Sequence, residues 1–280
     1  MVAIKEKTAV STKPVVKKTS LFKVRENIPK KWYVAGTVCA FLGILAVWSL
    51  LSYLELVNPV FLPTPAEVLV AFGSSLVDSA FWGDVGISVY RVFMGFLLAC
   101  VIGIPLGILA GTFKIAESVV LPTSEFIRYM PAAAFIPLIM VWAGIGETAK
   151  ILVIFIGCFF QLVLMVTDDT SRINKDLLSA SYTLGANRLQ VITKVILPAL
   201  MPKLMTTMRL IMGWAWTYLV VAELVAANSG LGYSIMKAQR FMNTEQIFVG
   251  ILVIGLLGLA IDRAFAFLNK KLFPWAEGGQ

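Results

Sequence analysis

This sequence predicts an all-α, polytopic membrane protein with six transmembrane helices, and three observations support that fold class. Apolar residues make up 59% of the chain and charged residues only 14%, with a mean hydropathy of +0.85, a balance far from that of a soluble domain. The apolar residues fall into runs long enough to cross a bilayer, separated by shorter polar stretches. The basic residues are spread unevenly among those stretches, which gives the spans a direction.

Residues 1–31 hold nine Lys or Arg against two Glu, a basic tail suited to an anionic membrane surface. No short apolar core with a small-residue cleavage site follows, as a secretory signal would require. Residues 32–54, from Trp32 to Leu54, run 23 positions without a charge and form the first span. Residues 55–84 contain Glu55, Glu67, Asp78 and Asp84 but no Lys or Arg. The positive-inside rule therefore puts this loop outside and the tail in the cytoplasm. Within the loop, Thr64-Pro65-Ala66-Glu67 predicts a helix start, with Thr64 as cap and Pro65 at the first position. That helix runs to about Val77 along the surface.

The second span, about Val85 to Gly111, carries Gly95, Gly103, Gly107 and Gly111; small residues at four-residue spacing let membrane helices approach closely. The third, about Leu121 to Trp142, is broken by Pro131 and Pro137 and carries Glu125 and Arg128. The fourth, about Thr148 to Thr167, has one strongly polar residue, Gln161. The fifth, about Leu204 to Ala227, bears Arg209 and Glu223, and the sixth runs from about Ile247 to Leu268. An even number of spans returns the C-terminus to the cytoplasm. The tail lysines Lys270 and Lys271 agree with that side, as do Arg172, Lys175, Arg188, Lys194 and Lys203. Lys150, Lys237 and Arg240 dissent.

The longest polar interruption is Ser171 to Lys203. Asp176 to Leu184 predicts one short helix, Gly185 a left-handed or tight backbone, and Leu189, Ile192 and Ile196 a second helix at helical spacing. Leu197-Pro198 is expected to end it, because proline cannot extend the hydrogen-bond ladder. Two short helices at a bend make a compact cytoplasmic knob, with Leu177 and Leu184 for apolar contact and Ala180 and Ser181 for close approach.

This knob resembles the cytoplasmic loop of ABC importer permeases, whose form is Glu-Ala-Ala, three residues, Gly, nine residues, Ile-x-Leu-Pro. Ser179-Ala180-Ser181 takes the Glu-Ala-Ala place, Gly185 follows at the family interval, and Val195, Leu197 and Pro198 close the motif. Ser179, Ser181 and Val195 depart from it. Further runs resemble the permeases of nitrate, bicarbonate, sulfonate and taurine importers: Ser88-Val89-Tyr90-Arg91 with Gly95-Phe96, Pro131 to Leu138, Trp142 to Glu147 with Lys150, Leu197 to Pro202, and Ala222-Glu223 followed by Gly230-Leu231-Gly232. Within that group the chain looks most like the cyanobacterial nitrate (nitrite) permeases, with bicarbonate as the second choice and sulfonate or taurine the third.

The resemblance implies a type I ABC importer fold in a bacterial inner membrane. The plan is a basic cytoplasmic tail (1–31), a first transmembrane helix (32–54), an external loop with a surface helix (55–84), a permease core (85–270) with coupling helices at 174–197, and a C-terminal tail (271–280). It also implies a second copy of the permease, two cytoplasmic ATPase subunits that hold ATP and Mg²⁺, and an external solute-binding protein. No cofactor or nucleic acid is expected on this chain, beyond membrane lipid around it. Asp176, Leu177, Ser179, Ala180, Ser181, Leu184, Gly185, Asn187 and Arg188 are the expected ATPase-coupling residues. The sequence has no Gly-x-x-x-x-Gly-Lys-Ser/Thr phosphate loop, so ATP hydrolysis is assigned elsewhere.

A small anion needs a path whose donors offset its dehydration, and charges inside spans usually face a cavity or a partner. Arg128 and Arg209 are the cation candidates; Gln161, Trp214, Thr217 and Tyr218 are the neutral donors. Trp214 and Trp216 point to different helix faces, so only one of them faces a pore. Each arginine also has a plain structural reading as an ion pair or a snorkelling side chain. Arg91 is read as structural. Met130 and Glu223 are gate candidates, with Glu223 alternatively an arginine's partner, and Gly230-Leu231-Gly232 forms a tight turn facing the binding protein. Cys39, Cys100 and Cys158 all lie in apolar runs, which suggests neither a disulfide scaffold nor a metal site. Histidine is absent, which weighs against a membrane-embedded enzyme; a stand-alone channel would have no use for the knob.

Overall fold

The computed structural model describes residues 29–275. The predicted basic tail therefore lies outside the described residues as far as residue 28, as do residues 276–280 of the C-terminal tail. Every regular element among the described residues is helical. The chain divides into two compact units, Met1–Leu56 and Val57–Gln280. The described part of the first is α1 (Lys30–Tyr53), which has no charged residue after its first turn and is long and apolar enough to span a membrane.

The second unit opens with α2 (Pro65–Val77). Its start is a capping box: Thr64 Oγ1 accepts the Glu67 N–H at 3.2 Å, and Glu67 Oε2 accepts the Thr64 N–H at 2.8 Å. α2 lies along the surface with most of its residues exposed and packs one face against α11 (Thr244–Leu272), with Val68 and Ser75 buried and Ser75 Oγ donating to Gln246 Oε1 at 3.2 Å. Next comes α3 (Ser79–Thr112), 34 residues long and capped by Asp78. It starts inside the stretch assigned to the external loop. At about 1.5 Å per residue it exceeds a hydrocarbon core of about 30 Å.

The glycine stripe of α3 lies against α6 (Glu147–Ser171). A Cβ at Gly95 would sit 2.7 Å from Ile154 Cβ, one at Gly107 2.7 Å from Val166 Cβ, and one at Gly111 2.5 Å from Thr170 Cβ. The β-branched residues of α6 thus fill the space that glycine vacates, and Ala99, itself fully buried, continues the stripe between Gly95 and Gly103. With α9 (Leu197–Ala226), these helices enclose the main core, which includes Val92, Phe96, Ile154, Cys158, Leu162, Val166, Ile211, Ala215 and Leu219.

The third span is not one helix. α4 (Lys114–Arg128) stops at Tyr129–Pro131; after a 3₁₀ turn at Ala132–Phe135, α5 (Ile136–Ala143) leaves at 91°. Pro131 has no N–H for α4 and biases the preceding residue away from helix, whereas Pro137 sits in the first turn of α5, where its missing donor costs nothing. The described residues hold five helices able to cross a membrane, or six if this bent pair counts as one. Gly144, at φ +75°, turns the chain into α6.

The knob contains α7 (Lys175–Thr183), capped by Asn174, and α8 (Arg188–Val191), where Asn187 and Gln190 form a second capping box. Between them Gly185 adopts φ +82°. The Ala186 N–H bonds to Ser181 O and the Gly185 N–H to Tyr182 O, the paired C-terminal bonds of a Schellman motif. The expected stop at Pro198 does not occur. A π-helical segment, Ile192–Ile196, joins α8 to α9, so the helical path runs on from the knob. The wider π turn displaces the carbonyls that the proline ring would strike, and Pro198 falls in the first turn of α9. One helix was not anticipated: α10 (Leu231–Arg240), between the fifth and sixth spans.

Substituting Gly107 by valine should break the α3–α6 contact. Overpacking typically costs about 1–3 kcal/mol; with Val166 Cβ and a backbone carbonyl at 3.0 Å or less, the upper end is expected. The thermal midpoint of the detergent-solubilised complex should fall, while Gly213→Ala, with open space around it, should leave it unchanged.

Candidate functional site

Two polar features stand out in the second unit. The first surrounds Arg91, which is fully buried at 0% exposure. Its Nε and Nη2 form a fork on Glu147, at 2.6 Å to Oε2 and 2.8 Å to Oε1. Its Nη1 donates to Glu223 Oε1 at 2.6 Å and to Ser229 O at 2.7 Å, and Nη2 reaches Ser229 Oγ at 3.2 Å. These bonds occupy the five guanidinium N–H donors. Lys150 Nζ adds a bond to Glu147 Oε1 at 2.8 Å.

The same cluster holds the start of α10. The N–H groups of Gly230, Leu231 and Gly232 donate in turn to Asp84 Oδ1 (2.6 Å), Ser88 Oγ (2.9 Å) and Glu223 Oε2 (2.7 Å). Ser88 Oγ donates onward to Glu223 Oε1 at 2.7 Å, and Ser234 Oγ donates to Asp84. Carboxylates at a helix N-terminus satisfy its unpaired donors and complement its dipole. Gly230 has φ +111°, and a Cβ there would lie 2.4 Å from Glu223 Oε1. Sequence order scatters these residues; folding gathers them at one end of the bundle.

The second feature is a cavity of about 360 Å³ walled by the α4–α5 elbow, α6 and α9. Arg128, Met130, Gln161, Trp214 and Tyr218 line it, with Gly157 and Phe160. A neighbouring cavity of about 400 Å³, bordered by Glu117, Glu125, Asp168 and Ser171, shares Arg128 and Gln161 with it. The Arg128 guanidinium stands 5.0 Å over the Tyr129 ring and donates to the Tyr129 hydroxyl at 3.2 Å. Among the described residues it has no carboxylate partner within ion-pair distance. Gln161, the Trp214 indole and the Tyr218 hydroxyl likewise make no side-chain hydrogen bond among the described residues. Unspent donors thus converge on one space.

Other candidates are placed elsewhere. Arg209 makes a bidentate pair with Asp262 of α11, Nη2 to Oδ2 at 2.7 Å, and does not line the cavity; it takes the structural reading. Thr217 is exposed and outside the lining. Trp216 turns into the core, its Nε1 unpartnered among the described residues, which leaves Trp214 as the indole on the cavity side. Glu223, Gly230, Leu231 and Gly232 are buried in the Arg91 cluster, so they offer no surface to an outside partner. Met130, partly exposed, stays at the cavity. Of the knob residues, Leu184 is 88% exposed and Leu177 50%. Asp176, Ser179, Ala180, Gly185, Asn187 and Arg188 are also exposed, and Ser181 is half-buried.

Residues 103–274 match the family of binding-protein-dependent transport system inner membrane components. The chain belongs to that family. This ABC importer permease is 33% identical to the taurine transport system permease protein TauC of Escherichia coli K12, covering 88% of this chain and 92% of that one. It is 36% identical to SsuC of Bacillus subtilis 168, provisionally named an aliphatic sulfonates transport permease, over 83% and 84% of the two chains. The nitrate import permease protein NrtB of a Synechocystis strain is 29% identical over 82% and 86%. A structure of the MetNI methionine ABC transporter in inward facing conformations shares the fold, with a TM-score of 0.52 at 24% identity over 65% of this chain and 94% of that one. The permease is an integral inner-membrane protein that works with ATPase and binding-protein partners. Its relatives do not single out nitrate, contrary to the sequence-based ranking.

The permease's Arg91 cluster was legible only in part. Ser88, Arg91, Glu147, Lys150, Glu223 and Gly230–Gly232 were each part of the family resemblance, but nothing in their spacing showed that they meet. Asp84 entered only as one of the acidic residues of the 55–84 loop, and Ser229 and Ser234 carried no signal at all. Removing the arginine charge should leave the buried Glu223 without a counter-ion and Glu147 with Lys150 alone, a loss of about 3–5 kcal/mol. Arg91→Met is therefore expected to reduce thermal stability and membrane accumulation sharply, and Arg91→Met/Glu223→Gln to recover part of both. A double-mutant cycle on thermal midpoints checks the coupling; additive losses would contradict it.

Proposed function

We propose that this permease carries small oxyanions across the inner membrane, organic sulfonates first and nitrate second, by alternating access. ATP and Mg²⁺ bind to two cytoplasmic ATPase subunits, a second copy of the permease completes the membrane part, and an external binding protein delivers the anion. The N- and C-termini and the knob face the cytoplasm in this reading, which the distribution of Lys and Arg supports. The observation that carries the reading is the Arg128 guanidinium, which borders both cavities and has no carboxylate within ion-pair distance among the described residues. A sulfonate or nitrate head offers it a planar or tetrahedral set of oxygens. Gln161, Trp214 and Tyr218 add neutral donors that hold the head without binding it too tightly to release.

Sulfonates rank first because TauC and SsuC are more similar than NrtB. Nitrate keeps the second place through NrtB; bicarbonate draws support from none of these relatives. The knob, with its exposed leucines and rigid Schellman turn, is the docking element through which ATPase closure reaches α9.

The test is ATP-dependent uptake of labelled taurine, an alkanesulfonate and nitrate into a deletion strain carrying the whole system. Arg128→Ala should lower uptake by tenfold to roughly a hundredfold, the worth of a charge-assisted hydrogen bond, with Arg128→Lys intermediate. Full uptake by Arg128→Ala would remove the arginine from the path. Gly185→Val, forced into a backbone it rarely adopts, should uncouple ATP hydrolysis from uptake while the chain still reaches the membrane. Coupled uptake by that variant would sink the docking role.

A further inference from the structure

We propose that Gly157 and Tyr218 form the size-selecting pair of the Arg128 cavity, with Gly157 holding the tyrosine ring out of the anion's way. The inference rests on the transport reading above and adds to it what limits the anion's tail. Gly157 lies mid-α6 and Tyr218 on the facing side of α9, and both line the cavity. A Cβ at Gly157 would meet the Tyr218 ring, 2.4 Å from Cδ2, 2.5 Å from Cγ and 2.7 Å from Cε2. Such distances are below any real carbon contact, so an added methyl must displace the ring.

The α3 glycines behave differently. At Gly95, Gly107 and Gly111 the nearest neighbours are β-branched side chains of α6 and backbone carbonyl oxygens, so these glycines serve helix packing. At Gly157 the three nearest atoms all belong to one side chain, and that side chain borders about 360 Å³ of open space. The backbone of Gly157 is ordinary helix, so its φ does not require glycine. What glycine supplies is a recess for the ring. With the recess filled, the ring's free direction is into the cavity, towards Trp214 one turn away on α9 and Phe160 on α6. The head group is held by Arg128 and Gln161 in every case; the ring position decides how much tail fits beside it.

The experiment uses the complete transporter in lipid nanodiscs, with exposed Cys39 replaced by serine and Met130→Cys as a reporter in the cavity wall. Cys100 and Cys158 are buried. Two methanethiosulfonate reagents bearing a sulfonate, one with a short tail and one with a bulky aryl tail, are timed against Cys at position 130. Gly157→Ala should lower the bulky-to-short rate ratio by about tenfold, the scale of one or two methylenes in a shaped pocket. Tyr218→Ala should raise it, and Gly157→Ala/Tyr218→Ala should restore it at least to the parent value. Equal slowing of both reagents by Gly157→Ala, or no change with Tyr218→Ala, overturns the proposal. If Gly157→Ala does not reach the membrane, the Tyr218→Ala ratio alone decides. The same variants are then assayed for uptake of methanesulfonate and hexanesulfonate. Failure of the parent transporter to move any oxyanion would sink the transport reading, while the reagent ratio still judges the pair.

Discussion

The buried guanidinium of Arg91 is the interaction on which one end of the helix bundle depends. An arginine in a low-dielectric interior is tolerable only if its charge is matched and its donors are used. Here both conditions are met by groups from four separate stretches: Ser88 and Arg91 on α3, Glu147 and Lys150 on α6, Glu223 on α9, and the Ser229–Gly232 turn into α10. Glu147 and Glu223 are each spent on three bonds, so no helix of the set can slide without leaving a charge or a backbone N–H bare. Two glycines are a condition of this geometry, since a Cβ at either Gly230 or Gly232 would fall on Glu223. The glycine stripe of α3 then extends the same tight α3–α6 pair along the rest of its length.

Elements with a local cause were legible in the sequence. The Thr64-Pro65-Glu67 start of α2, the left-handed Gly185 and the α3 stripe each follow from chemistry within a few residues, and each stands where it was expected. Proline was harder to read. Pro131 ends a helix as anticipated, but Pro198 does not, because a π turn before it reroutes the carbonyls; Pro105, Pro122 and Pro202 also sit inside helices. Proline reports a missing donor, and only tertiary context says whether the helix absorbs the loss.

The site divides in the same way. Arg128, Gln161, Trp214 and Tyr218 were chosen because polar groups inside spans need a reason to be there, and they line one cavity. Arg209 was chosen by the same logic and instead meets Asp262, a residue far along the chain that no periodicity links to it. Arg91 was set aside as structural, which its burial supports, but its connectivity could not be read. The sequence shows that an intramembrane charge needs a partner. It does not show which partner, because that depends on helix rotation and crossing, set by packing rather than by pattern.

One cation beside neutral donors is also a particular choice for an anion path. Two or more guanidiniums would hold an oxyanion more firmly and slow its release, whereas uncharged donors alone would leave most of its dehydration cost unmet. On the proposed reading, a single fork with adjustable neighbours recognises an oxygen-bearing head and says little about the atom at its centre. That matches a family in which relatives named for taurine, aliphatic sulfonates and nitrate share one scaffold. If the head is read so loosely, discrimination within the permease must come from shape, and on the proposed reading shape in this cavity is set where α6 offers a bare backbone to a side chain of α9. α6 and α9 meet across Gly157 and the Tyr218 ring. Small residues thus serve two ends on these helices: on α3 they let helices associate, and at Gly157, on the proposed reading, the missing side chain fixes the room left beside a ring.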